Sequence, residues 1–226
     1  MRHPILITGS NRGLGLEIAK LLNKASVPLV VSSRNPKKNE STLNSLGIYP
    51  QLNLRLDFDI SDPADVDKVL NQLPSLSGAV HCASPYTLSQ LTNASLDEFQ
   101  LYGNFFQNNF IFGKHVLNSV RAGKGGRIIL IGSTAADVGR TKTSLTIYGI
   151  YKNSLKALAE GITNEGKAYN VSSTYITLGG FRDDSDSGVD TSKFLKQSSV
   201  AEMVCHILQM KQDIRMDYFE LTAMNI

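Results

Sequence analysis

The sequence predicts an α/β protein, a doubly wound parallel sheet of about seven strands flanked by helices on both faces and forming a single domain over 1–226. Three observations carry this. Short apolar runs alternate along the chain with amphipathic stretches of helical period. The runs are almost continuously apolar, as in strands covered on both sides. A glycine-rich turn joins the first run directly to the first helical stretch. Parallel neighbours need crossover connections, and the helical stretches supply them.

The elements follow in order. Strands are predicted over 4–8, 28–33, 53–57, 78–82, 126–132, 171–177 and 218–222. Between them, Leu14, Ile18, Leu21 and Leu22 share one helical face, as do Val66, Val69, Leu70 and Leu73, and further on Leu155, Leu158, Ala159 and Ile162. Two segments read as irregular. One is the polar connection 35–49. The other is 179–199, whose Asp183, Asp184, Asp186, Gly188 and Asp190 give it the composition of an exposed loop and make it a candidate lid. No repeat, low-complexity tract or Pro/Gly/Ser-rich linker divides the chain.

Composition narrows the functional classes. The 226 residues are 42% hydrophobic and 19% charged, which excludes disorder and coiled coil. A net charge of +3 comes from dispersed Lys and Arg with no run beyond Lys37-Lys38, too little for a nucleic-acid footprint. No apolar stretch reaches the roughly 18 residues of a membrane span, and the amino terminus lacks a signal-peptide pattern, so a cytoplasmic location is expected. Cys82 and Cys205 have neither metal-type spacing nor disulfide density and read as small buried hydrophobes.

The turn is Thr8-Gly9-Ser10-Asn11-Arg12-Gly13-Leu14-Gly15. Gly9 allows a tight turn, Gly13 lets backbone approach a pyrophosphate, and Gly15 lets the helix pack on the strand, with the helix amino terminus facing the anion. Three glycines so close can be a mere flexible turn, but a strand before and a helix after favour dinucleotide binding. The end of the second strand selects the cofactor. An NAD site usually places an acid there, whereas this chain has Ser32-Ser33-Arg34, so a 2′-phosphate would meet a cation. Arg12 adds a second guanidinium, and NADP(H) is favoured over NAD(H).

Tyr148 and Lys152 lie four apart at the start of a helical stretch and so share a face. An ammonium beside a phenol favours the phenolate, which would bring the tyrosine closer to neutral working pH as a proton donor and acceptor. Tyr151, with no cation four residues on, is expected to pack instead.

Together these two blocks resemble the short-chain dehydrogenase/reductase family, over essentially the whole length. The resemblance implies a Rossmann-type domain with a cofactor half over about 1–125 and a catalytic half over about 126–226. It implies an NADP-dependent enzyme that exchanges hydride between the nicotinamide and a small carbonyl or alcohol, Tyr148 handling the proton and Lys152 gripping the nicotinamide ribose. The family's catalytic serine matches Ser133, with Thr134 as the alternative. Its helix asparagine matches Asn109, which would steady a water linked to Lys152, with Asn108 as the nearby rival. Cofactor contacts map onto Gly9, Asn11, Arg12, Gly13, Leu14, Gly15, Ser33, Arg34, Asp59, Ile60, Cys82, Ala83, Ser84, Tyr148, Lys152, Gly179, Gly180 and Phe181. Asp59 could equally be a helix cap.

The chain departs from the family at two places. Asn-Asn-Ala-Gly is replaced by His81-Cys82-Ala83-Ser84, which makes His81 a structural residue in this reading, and Pro-Gly is replaced by Gly179-Gly180. The resemblance also implies a homodimer or homotetramer built through two long helices around 104–121 and 146–168. Two other readings are a non-catalytic NADP(H)-binding redox sensor and an extended sugar-nucleotide enzyme. The intact set Asn109, Ser133, Tyr148 and Lys152 argues against the sensor, and the extended enzyme would need a larger carboxy-terminal domain.

Overall fold

A computed structural model of the protein describes residues 3–33, 53–59, 61–182 and 193–224, with positions 37, 40, 41, 44 and 46 between the first two stretches. Of Ser33, Asn53 and Arg182 it describes the backbone alone. Every predicted strand is present: β1 (Ile5–Thr8), β2 (Leu29–Ser33), β3 (Asn53–Asp57), β4 (Gly78–His81), β5 (Gly126–Ile131), β6 (Val171–Leu178) and, at the far edge, β9 (Tyr218–Leu221). They form one parallel sheet in the order β3-β2-β1-β4-β5-β6-β9.

The helices are α1 (Gly13–Lys24), α2 (Pro63–Leu70), α3 (Leu96–Ala122), α4 (Thr146–Gly166) and α5 (Gln197–Gln209). Their starts are encoded locally. Asp62 accepts from the amides of Ala64 and Asp65 ahead of Pro63, and Ser95 accepts from the amide of Glu98. The central strands send alternate residues to two cores. Leu6, Ile128 and Leu130 pack with α2, α3 and α4, while Ile5, Ile7, Ile129 and Ile131 pack with α1 and α5. This is the doubly wound Rossmann-type sandwich the sequence predicts.

Two local expectations are corrected. In 35–49 the described positions are helical, with Leu46 buried and its carbonyl accepting from Asn23 Nδ2 at 2.7 Å, so this connection is not simply irregular. The span 179–199 is ordered at both described ends. The short strands β7 (Phe181–Arg182) and β8 (Leu195–Lys196) pair with each other, and α5 begins at Gln197. The acidic residues of the candidate lid lie outside the described residues. Cys82 and Cys205 are half-buried, not fully buried, and burial pushes their thiols up to about 12 and about 11, so neither is a thiolate near neutral pH. Among the described residues no helix is long and apolar enough to cross a membrane.

The sheet order reverses between β1 and β4, because the chain winds outward from β1 through β2 to β3 and then crosses back to β4. Such a switch point opens a crevice at the carboxyl ends of the two strands, and Thr8 and His81 are the facing residues there.

Candidate active site

The glycine turn lies on one side of this crevice. Gly9 and Gly13 have φ of 67° and 56°, in the left-handed region that side chains disfavour. A Cβ on Gly15 would sit 2.4 Å from the carbonyl oxygen of Gly9, so helix and turn can meet this closely only through glycine. Arg12 caps α1 without a side-chain bond, and no acid occupies the first turn, which leaves the positive helix end suited to a pyrophosphate. Arg12 is exposed, Asn11 is half-buried, and Leu14 points into the α1/α5 core. The Ser10 hydroxyl donates to the Ser32 carbonyl at 3.2 Å and accepts from the Ser32 amide at 3.0 Å, which ties the turn to the end of β2. Arg34 and Ile60 lie outside the described residues.

The other predicted cofactor residues line the same edge of the sheet. A Cβ on Gly9 would meet the Ala83 amide at 3.1 Å, so the backbone after β4 runs against the turn, with Cys82 and Ser84 half-buried beside it. Asp59 accepts from the Ser61 amide at 2.9 Å and from its hydroxyl at 2.7 Å. It is thus not the helix cap, a position Asp62 fills. Gly179 donates to the Leu221 carbonyl at 2.8 Å, and Gly180 accepts from the Leu195 amide at 2.8 Å, leading into Phe181.

His81 bridges the crevice. Its Nε2 lies 2.9 Å from Asn109 Oδ1, which can only accept, so Nε2 carries the proton and Nδ1 accepts from the Thr8 hydroxyl at 2.9 Å. The Ala83 amide donates to the same Thr8 oxygen at 3.2 Å. The departure from the family motif therefore supplies a polar link that runs from the start of the glycine turn to α3. Burial holds the imidazole down to about 4, with the Lys152 charge adding to the effect against the Asn109 bond. Unfolded, this histidine takes up its proton near 6.5, so native stability falls as pH drops from about 6.5 to about 4. We expect wild type to lose about 3 kcal/mol more than His81→Gln across that window, measured by urea unfolding at each pH.

Tyr148, Ser133 and Lys152 converge next to this bridge. Tyr148 lies in the first turn of α4, and Ser133 follows β5. The phenol is pushed up to about 12, mainly by burial, with a hydrogen bond from Ser133 pulling the other way. Ser133 also accepts from the Ala135 amide at 3.2 Å, and its hydroxyl is close enough to the phenol to pull the Tyr148 shift down. Lys152 is 3% exposed, its Nζ donates to the Ile131 carbonyl at 2.8 Å and stands 5.6 Å from the Tyr148 ring centroid. Burial brings its amine down to about 7. The expected phenolate is therefore corrected: the burial that shields the pair raises the phenol and lowers the amine, so the Tyr148 phenol keeps its proton at neutral pH. Asn109 and Asn108 are both buried, and Asn109 is the one that reaches His81. Tyr151 packs in the core against Tyr102 and Phe105, as the spacing suggests.

Two contributors are missing from the sequence reading, and a third, His81, is read there only as structural. Tyr86 stands edge-on to Tyr148 with ring centroids 5.2 Å apart. His81 has a connecting role, and Tyr175 reaches beneath Ser133. No spacing rule signals any of them, because each partner lies on a distant segment.

Known proteins share this fold. The 2-dehydro-3-deoxy-D-gluconate 5-dehydrogenase of Formosa agariphila is 24% identical over 184 residues, 78% of this chain and 68% of that protein. The chloroplastic short-chain dehydrogenase TIC 32 A of Brassica napus is 29% identical over 144 residues, 58% of this chain, and the match spans only 44% of that relative's length. An alcohol dehydrogenase from Thermococcus sibiricus, solved with 5-hydroxy-NADP, superposes with a TM-score of 0.85 at 21% identity, covering 99% of this chain and 97% of that one, a likeness of fold. The family model of the short chain dehydrogenases matches residues 3–193, nearly the whole span from β1 to β8, and the chain belongs to this family of oxidoreductases.

Proposed function

We propose that the protein is an NADP(H)-dependent oxidoreductase that interconverts a carbonyl and a secondary alcohol on a small molecule. The observation that carries this reading is the Tyr148 phenol, beside the Ser133 hydroxyl and the buried Lys152 amine, at the same edge of the sheet as the open end of α1. When bound, the nicotinamide supplies or accepts the hydride. Tyr148 donates its proton to the substrate oxygen, and Ser133 holds that oxygen with its hydroxyl. Lys152, beside the phenol, would hold the nicotinamide ribose when the cofactor is bound, and Asn109, fixed by His81, would order a water linked to Lys152.

The glycine turn would hold the dinucleotide, and the guanidinium of Arg12, with that of Arg34 by its place in the sequence, would supply positive charge for a 2′-phosphate. The NADP-type ligand in the Thermococcus sibiricus structure and the NADPH in a blue fluorescent protein of the same fold support this choice. Self-association is supported by an apolar stripe on α3, where Leu96, Phe99, Phe106 and Phe110 are each more than half exposed. The assay for the reading is NADPH oxidation with the ketones diacetyl and ethyl acetoacetate. Turnover of at least one supports it, whereas tight NADPH binding without turnover of any would favour a redox sensor.

A further inference from the structure

Tyr175 is among the largest fully buried side chains and belongs to none of the residues the family pattern singles out. It lies on β6, opposite Leu130 of β5, and its ring crosses under the end of β5. A Cβ on Gly132 would come within 2.2 Å of the ring carbon bearing the hydroxyl, so glycine at 132 and tyrosine at 175 are a matched pair. The hydroxyl oxygen then sits between two active-site residues. It donates to the Lys152 carbonyl at 3.0 Å and accepts from the Ser133 amide at 3.4 Å. Burial holds this phenol well above its ordinary range, so its single proton stays available for the Lys152 carbonyl.

The Lys152 amine bonds Ile131, one strand residue beyond Gly132 from Ser133. Lys152 is thus tied to the 131–133 corner twice: by its amine directly, and by its backbone through Tyr175. Ser133, whose hydroxyl meets Tyr148, shares the second tie. A hydroxyl in this place sets the distance between the strand that carries the serine and the helix that carries the tyrosine and lysine.

Building on the oxidoreductase reading, we propose that Tyr175 is a positioning residue that fixes Ser133 relative to Lys152 and Tyr148. Tyr175→Phe tests this, because it removes one oxygen and keeps the ring that fills the core. Losing one such bond corresponds to about tenfold at the net worth of a buried hydrogen bond. For NADPH-dependent reduction of ethyl acetoacetate we expect kcat to fall about tenfold, with KM and NADPH affinity within about twofold. In the same pair of proteins, hydrogen exchange followed by NMR should show the Ser133 amide exchanging about tenfold faster in the variant.

Unchanged kcat and unchanged exchange at Ser133 would overturn the proposal. So would a loss of activity that only tracks the fraction of folded protein in a thermal melt. If wild type reduces no carbonyl, the oxidoreductase reading fails separately. The exchange arm still decides then: protection at Ser133 that does not depend on the Tyr175 hydroxyl refutes the positioning role.

Discussion

Tyr148→Phe is expected to lower kcat for carbonyl reduction by about 10² to 10⁴, the range a positioned general acid supplies, while NADPH affinity stays within about twofold. The hydroxyl is the group that changes protonation in the reaction, and the ring without it still fills the space beside Tyr86. Because the interaction is made in the transition state, the loss falls on kcat and not on KM. The raised phenol adds a signature in wild type. A group held at about 12 is fully protonated through the neutral range, so reduction needs no rise in pH. Alcohol oxidation needs the phenolate and should speed up from pH 7 to 10. Steady-state kinetics in both directions check this, and an oxidation rate independent of pH would contradict the assignment of Tyr148 as the proton-transfer group.

Lys152→Met is expected to lower kcat at least about 10²-fold and at the same time to raise the melting temperature of the cofactor-free protein. The amine titrates near 10.5 in the unfolded chain and is held down to about 7 in the native site. Between these values the unfolded chain binds the proton and the native one does not, so native stability falls as pH drops through the window, with the full penalty present below about 7. Methionine has a similar stem and no charge to bury, at the cost of the bond to the Ile131 carbonyl. The gain should be about 5 °C or more at pH 6 and should shrink toward zero by pH 10. Calorimetry at the two pH values checks it, and a variant less stable at pH 6 would mean the amine stabilises the fold instead of straining it.

The fold was legible because its signals are local. Unbroken apolar runs such as Ile128 to Ile131 mark a strand covered on both faces, and Gly9, Gly13 and Gly15 announce the turn that follows β1. The Tyr148/Lys152 pair could be read for the same reason, as one helical turn fixes their relative placement. Their ionisation could not. It depends on burial beneath Ile131 and beside Ser133, which arrive from another segment, and burial reversed the expected shift of the phenol. His81 shows the same limit from another side. As a departure from a motif it reads as structural without named partners, and the fold places it in register with Thr8 and across from Asn109, where it makes a bond at each ring nitrogen. Tyr175 gave no sequence signal, since in a strand it reads as one more core aromatic.

The proposed role of the crevice between β1 and β4 is to bind NADP(H) for hydride transfer. Its most direct test is a fluorescence titration of the purified protein with NADPH and with NADH, repeated in Arg34→Asp. The account predicts tighter binding of NADPH than of NADH, and a loss of that preference of about tenfold or more in the variant, since the substitution replaces a phosphate partner with a repelling charge. Failure of both nucleotides to bind would contradict it, because the open end of α1 and the glycine turn would then hold no dinucleotide.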